Sequence, residues 1–332
     1  MTQFFKRNTP GMRYSFMSTL LFALLILTHT TSLTGNPPPP PKAKEALVKV
    51  NGTKLFTKTI GTGTPLVIVH GGPGMDHTYL LPQMAKLAGP CKLIFYDQRA
   101  SGRSSVDVDT LTMTMDTFVE DLEGIRTAFK IGKMDLFGHS WGGLVAMFYA
   151  IRYPENLNSL ILVTTSPASS RMRDSAFSIM SSRVTADDSA ATTRLLQTEG
   201  FIKRDPKVIA EFFRLLFRGT FADRRNVDNL TLTFDSTYAR RSVLAKYLQK
   251  DARLQSYDLH SRLAKVRCPT LIIGGDHDMV PPEANTMLQD AIAGSDLEIL
   301  ERCGHFPYIE RPDVFFPIVT RFLKKAGASQ AP

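Results

Sequence analysis

The chain has 332 residues, 43% of them hydrophobic, which is enough for one large core, and it carries no internal repeat. Its formal charge of +9 comes from 40 basic and 31 acidic residues. The basic residues are scattered, densest at Arg171, Arg173, Arg183, Arg194, Lys203 and Arg204, with no basic run interleaved with aromatics, which argues for a solvated basic face and against a nucleic-acid partner.

Residues 1–35 open with Lys6, Arg7 and Arg13, continue as an apolar run from Phe16 to Leu27 and turn polar from Thr28. This is the layout of a secretory signal. The run falls short of the roughly 20 apolar residues of a comfortable span, and an Ala-x-Ala cleavage site is missing, so an uncleaved N-terminal anchor is the other reading. Loss of this segment leaves a charge of +6. Residues 36–45 form a linker in which Pro37 to Pro41 favour a polyproline II spacer. The folded part is expected outside the cytoplasmic membrane, touching it only through that anchor.

A first core part is expected over 46–165. Leu47 and Val48 before Asn51-Gly52, with Leu55 and Phe56 after it, predict a hairpin. Short β-branched runs follow at Pro65–Val69, Lys92–Tyr96, Met134–Phe137 and Ser159–Val163, and again at Thr270–Ile273 and Leu297–Leu300. Between them, helical periodicity predicts helices at His77–Leu87, Met115–Phe129, Gly142–Tyr153, Glu283–Ala293 and Pro312–Lys324. That alternation builds an α/β fold, a mostly parallel doubly wound sheet covered by helices on both faces. Residues 166–263 lack strand signals and read as an inserted helical cap, with helices at Pro206–Phe217 and Thr237–Gln249, before the second core part over 264–326. Cys91 and Cys268 precede strand runs and Cys303 follows one. That placement separates Cys268 from Cys303 beyond disulfide reach and leaves Cys91 with Cys268 open; buried free thiols are the expectation.

Chemistry concentrates at strand ends. Gly138-His139-Ser140-Trp141-Gly142 lies between a strand run and a helical one, where a tight corner exposes a serine and leaves room only for small neighbours. Ser140 is therefore a candidate nucleophile. It needs a base and a group that orients the base. Gly275-Asp276-His277-Asp278 follows one strand run and Cys303-Gly304-His305 follows the last. Asp278 is favoured over Asp276, which suits a turn cap, and His305 is the favoured base, with His277 an exposed loop residue. Loops at the carboxyl edge of such a sheet converge, so Ser140, Asp278 and His305 are expected to meet. An oxyanion needs amide donors. Trp141 N–H is one, and Gly72, in the loop His70-Gly71-Gly72-Pro73-Gly74, is the other candidate. A carboxylate would be required at the elbow for epoxide or haloalkane hydrolysis, and Ser140 occupies that place.

His70 to Gly74, Asp97-Gln98-Arg99-x-x-Gly102-x-Ser104, the serine elbow with Trp141 and His305 together resemble the proline iminopeptidases and their α/β-hydrolase relatives, over about Ala46 to Ala326. The order Ser, Asp, His is the one that fold carries. The resemblance implies an α/β-hydrolase fold, an acyl-enzyme on Ser140, release of N-terminal proline from small peptides, and no metal or organic cofactor. Some members hold the substrate amine with acidic residues, one directly after the catalytic acid, where this chain has Met279. A buried ammonium needs a negative partner. Glu199 and Glu211 in the cap are the candidates, each also readable as part of a solvated helix face. Without such an anchor the same triad suits neutral esters, amides or lactones, as in a carboxylesterase or lactonase.

Overall fold

The computed structural model describes residues 43–238, 246–248 and 250–328. The leader, most of the spacer and most of the helix expected over 237–249 lie outside the described residues. Among the described residues no helix is long and apolar enough to cross a membrane.

The hairpin forms as β1 (Lys44–Val50) and β2 (Thr53–Ile60), turned by Asn51 and Gly52 at φ 42° and 74°, the left-handed pair a two-residue turn requires. β1 begins two residues inside the expected spacer, because Lys44 already pairs with Thr59. Next come β3 (Thr64–Val69), β4 (Cys91–Tyr96), β5 (Met134–His139), β6 (Leu157–Val163), β7 (Thr270–Gly275) and β8 (Asp296–Leu300). They form one eight-stranded sheet in the order β1-β2-β4-β3-β5-β6-β7-β8, antiparallel only at its β1-β2-β4 edge. Alternate side chains feed two cores. Val67, Val69, Leu160 and Leu162 pack on one face with Leu122, Ile125 and Val145, whereas Leu66, Ile68, Ile161 and Val163 pack on the other with Leu80, Phe315 and Val319.

The described residues include the helices α1 (Leu81–Met84), α2 (Met115–Ala128), α3 (Trp141–Arg152), α4 (Ser170–Ser182), α5 (Ala186–Leu196), α6 (Glu199–Ile202), α7 (Pro206–Arg218), α8 (Ala252–Gln255), α9 (His260–Leu263), α10 (Pro282–Ala291), α11 (Pro307–Glu310) and α12 (Pro312–Ala328). One expectation fails here: 77–87 is not a continuous helix but a 3-10 turn, α1 and a second 3-10 turn. Asp76 caps the first turn through Thr78 N–H, and Pro82, which has no N–H to donate, sits at the start of α1. Among the described residues, 164–269 between β6 and β7 hold helices and a single isolated bridge, Ser169 to Asp258.

Strand order reverses at β3, which lies between β4 and β5. Such a reversal opens a crevice at the carboxyl ends of the strands. The loop after β3, the turn after β5, and the loops after β7 and β8 all start at that edge. Cys91, Cys268 and Cys303 are all unpaired; Cys91 and Cys303 are buried, while Cys268 is only half-buried. Burial pushes the Cys91 and Cys268 thiols up to about 11, so neither is a nucleophile at neutral pH.

Candidate active site

Ser140 occupies the corner between β5 and α3 with φ 55° and ψ −124°, a conformation that costs a non-glycine residue energy and lifts its side chain off the sheet edge. Its neighbours must be small. A Cβ on Gly142 would stand 2.2 Å from the Val69 carbonyl oxygen, so the start of α3 can approach β3 this closely only with glycine there.

His305 Nε2 lies 3.0 Å from Ser140 Oγ, and His305 Nδ1 lies 2.8 Å from Asp278 Oδ1. Ser140 is half-buried, and both partners are buried. Asp276 is turned elsewhere: its Oδ1 accepts from Cys303 N–H at 3.0 Å and stands 2.7 Å from the exposed His277 ring. It ties the two loops together instead of touching His305. The amide N–H groups of Gly72 and Trp141 donate to no protein atom among the described residues. Both residues line a cavity of about 320 Å3, and Gly72, at φ 133°, adopts backbone open to glycine.

His139 sits beneath this group without exchanging a proton. Its Nε2 faces the His305 carbonyl at 2.9 Å, an acceptor only, so Nε2 carries the hydrogen and Nδ1 accepts from the Tyr79 hydroxyl at 2.7 Å. Tyr79 in turn accepts from Gly71 N–H at 2.6 Å. Burial, followed by the charge of His305, holds the His139 imidazole well below its usual range, so it stays neutral. The chain Gly71–Tyr79–His139–His305 thereby joins the loop after β3 to the loop after β8. No sequence pattern pointed to Tyr79, since its role depends on a ring reaching sideways across strands.

The cap reaches the same loops. The Arg183 guanidinium donates to the carbonyls of His277 and Asp278, the latter at 3.0 Å, and His305 N–H donates to the Thr220 carbonyl at 2.9 Å. Glu310 accepts from Gly304 N–H at 2.9 Å and Ala222 N–H at 2.8 Å, and Phe221 stacks on Phe306 at 4.7 Å. Arg224 donates to the Arg183 carbonyl and to Asp188. Burial opposes ionisation of Asp188, yet the Thr185 backbone N–H and Arg224 hold its carboxyl down at about 2. Arg183→Ala is therefore expected to lower kcat about tenfold by loosening the Asp278 loop, with Arg183→Lys recovering part of the loss; steady-state kinetics of the pair check this.

Glu199 and Glu211 do not reach the cavity. Glu199 opens α6 with its side chain 77% exposed and paired to Lys203 one turn on, a position the helix N-terminus favours for an acid. Glu211 is 46% exposed and lies 3.8 Å from Arg214, while α7 buries Ile209, Ala210 and Leu215 instead. Among the described residues, the acid that lines the cavity is Asp174, in a lining that also includes Phe177, Leu248 and Leu254, and its carboxylate is engaged by Arg173 at 2.9 Å. Among the described residues no group of three His, Cys, Asp or Glu converges as metal ligands would.

The sequence profile of the alpha/beta hydrolase fold matches residues 64–312. A proline iminopeptidase of Lactobacillus helveticus is 30% identical over 273 residues, covering 78% of this chain and 89% of its own. Two of the solved structures that share the fold illustrate the likeness. The proline iminopeptidase of Mycobacterium smegmatis has a TM-score of 0.65 at 24% identity, covering 87% of this chain and 100% of its own. The enol-lactonase of Burkholderia xenovorans has a TM-score of 0.58 at 23% identity, covering 84% and 100%. With three-quarters of its length in that profile and a serine-bearing corner in the crevice, this chain is a hydrolase that belongs to the α/β-hydrolase fold family, as a relative of the proline iminopeptidases.

Proposed function

We propose that the protein is a serine aminopeptidase that releases N-terminal proline from small peptides through an acyl-enzyme on Ser140. The observation that carries the acyl-enzyme chemistry is the continuous relay of 3.0 and 2.8 Å from Ser140 Oγ through His305 to Asp278. Ser140 Oγ attacks the scissile carbonyl while its proton passes to His305 Nε2. Asp278 accepts from His305 Nδ1–H, holds the tautomer and stabilises the imidazolium. The N–H groups of Gly72 and Trp141 receive the oxyanion. As the tetrahedral adduct collapses, the C–N bond breaks and His305 returns its proton to the leaving amine. Water, deprotonated by His305, then attacks the acyl carbon, the ester bond to Ser140 breaks, and Oγ takes the proton back. The relatives named above support proline as the acyl residue, and the leader-like pattern of 1–35 supports action outside the cytoplasmic membrane.

A second reading, hydrolysis of small neutral esters or lactones by the same residues, is favoured by one observation. Asp174, the acid among the cavity's described lining residues, is already neutralised by Arg173. Rates on prolyl-arylamide, its N-acetylated form and a short acyl ester separate the two: preference for the free amine supports the peptidase, and ester turnover without arylamide cleavage overturns it. In the peptidase, Asp174→Asn is expected to raise KM for prolyl-arylamide about fivefold, the scale of a solvent-exposed charge pair, with ester KM unchanged. Equal KM values for the variant and the wild type on both substrates would remove Asp174 as the amine's partner.

A further inference from the structure

We propose that Gln98 is a positioning residue for oxyanion stabilisation, setting the separation of the two amide donors by tying the loop after β3 to the tryptophan that follows the nucleophile. The inference rests on the serine-hydrolase reading above.

β3 and β4 are paired in register at Val69 and Tyr96, so His70 and Asp97 leave the sheet side by side and Gln98 follows one residue later. From there the Gln98 backbone N–H donates to His70 Nε2 at 3.0 Å, and its side-chain Nε2–H donates to the His70 carbonyl at 2.6 Å. The opposite end of the same amide, Oε1, accepts from the Trp141 indole N–H at 2.9 Å. Both partners dictate the orientation: an indole N–H only donates and a carbonyl only accepts, so no flipped amide satisfies the pair. Gln98 is 1% exposed, and water cannot replace either bond without entering the core.

These bonds lie beside the candidate donors. His70 is two residues before Gly72, and Trp141 supplies the other donor from its own backbone. The two segments already touch, since a Cβ on Gly142 would stand 2.6 Å from the His70 carbonyl oxygen. Packing therefore sets how close they come, and the Gln98 amide sets their lateral register. His70 adds no competing charge: burial holds its imidazole down at about 4, so it remains the neutral acceptor that Gln98 N–H requires. The preceding residue serves the other end of the loop, where Asp97 accepts from His77 N–H at 3.0 Å and Arg103 N–H at 2.8 Å. Only a side chain with a donor and an acceptor on one planar head performs the Gln98 role, and a hydrocarbon of equal length leaves the His70 carbonyl and the indole N–H unpaired.

Gln98→Met and Gln98→Glu test this against the wild type on prolyl-arylamide and a short acyl ester, with a trifluoromethyl ketone whose adduct on Ser140 bears the oxyanion. For Gln98→Met, kcat is expected to fall about 10- to 100-fold on whichever substrate the wild type turns over, with KM within about twofold and ketone affinity falling in step with kcat. The chain contains one tryptophan, so its emission reports directly on the loss of the Trp141 bond. In Gln98→Glu the introduced carboxyl donates to the His70 carbonyl while protonated and repels it once ionised. That variant is expected to lose activity as pH rises, with a descending limb absent from the wild type. A Gln98→Met enzyme with kcat and ketone affinity within about threefold of the wild type overturns the proposal. If Gln98→Met does not fold by circular dichroism, Gln98→Glu decides alone, and a pH profile parallel to the wild type overturns it. A wild type whose Ser140 resists an arylphosphonate refutes the underlying reading; a labelled wild type with unaltered variants refutes only the role of Gln98.

Discussion

Ser140→Ala is expected to lower turnover by about 10⁴-fold or more and to eliminate labelling by an arylphosphonate, because Ser140 Oγ is the hydroxyl that His305 Nε2 faces. Ser140 Oγ has a base at 3.0 Å, while the neighbouring hydroxyl Tyr79 is committed to Gly71 and His139. Burial also pushes the Tyr79 hydroxyl above its usual range, which removes it as a substitute nucleophile. Alanine keeps the Cβ, and with it the packing of Ser140 against Gly71, whose own Cβ would stand 3.1 Å from that of Ser140. The variant should therefore fold as the wild type does. Intact-mass spectrometry after phosphonate treatment and single-turnover kinetics check the two parts, and substantial activity in the variant would sink the assignment of Ser140.

Asp278→Asn carries the second large effect. The carboxylate is buried and accepts from His305 Nδ1 at 2.8 Å, which leaves Nε2 bare to face Ser140. An asparagine amide presents an N–H in place of that acceptor and stabilises the opposite tautomer, with hydrogen on Nε2. The base is then blocked while the site's shape is kept, and kcat at neutral pH is expected to drop about 10⁴-fold with little change in KM. Asp276→Asn is the control. Asp276 Oδ1 accepts from Cys303 N–H, and an asparagine oxygen does the same, so kcat should stay within about threefold of the wild type. Comparable losses in the two variants would remove the distinction between these aspartates.

The leading candidates were legible because their chemistry is local. A glycine-flanked serine after a β-branched run, a histidine after the last strand and an aspartate between them require only that parallel strands deliver their carboxyl-edge loops to one crevice. Asp278 could be ranked above Asp276 from the sequence because Asp276 suits a turn cap. The motif from Asp97 to Ser104 was visible as a likeness but silent on purpose. In the folded chain Asp97 anchors the turn at His77, Gln98 bridges His70 and Trp141, and Ser104 Oγ donates to the Asp97 carbonyl at 2.6 Å.

Sequence alone determined the α/β alternation and the hairpin at Asn51-Gly52 and singled out Ser140, Asp278 and His305 as candidates, because periodicity, turn chemistry and strand-end position are properties of neighbouring residues. Tertiary structure alone decided which cap residues face the cavity. Helical periodicity specifies which side chains share a face but not how that helix is rotated over the sheet. Glu199 and Glu211 consequently turn to solvent, Asp174 and Arg173 reach the cavity, and Arg183 and Thr220 grip the loops of Asp278 and His305. Those contacts join residues far apart in sequence, and only packing of the whole chain brings them within hydrogen-bond range.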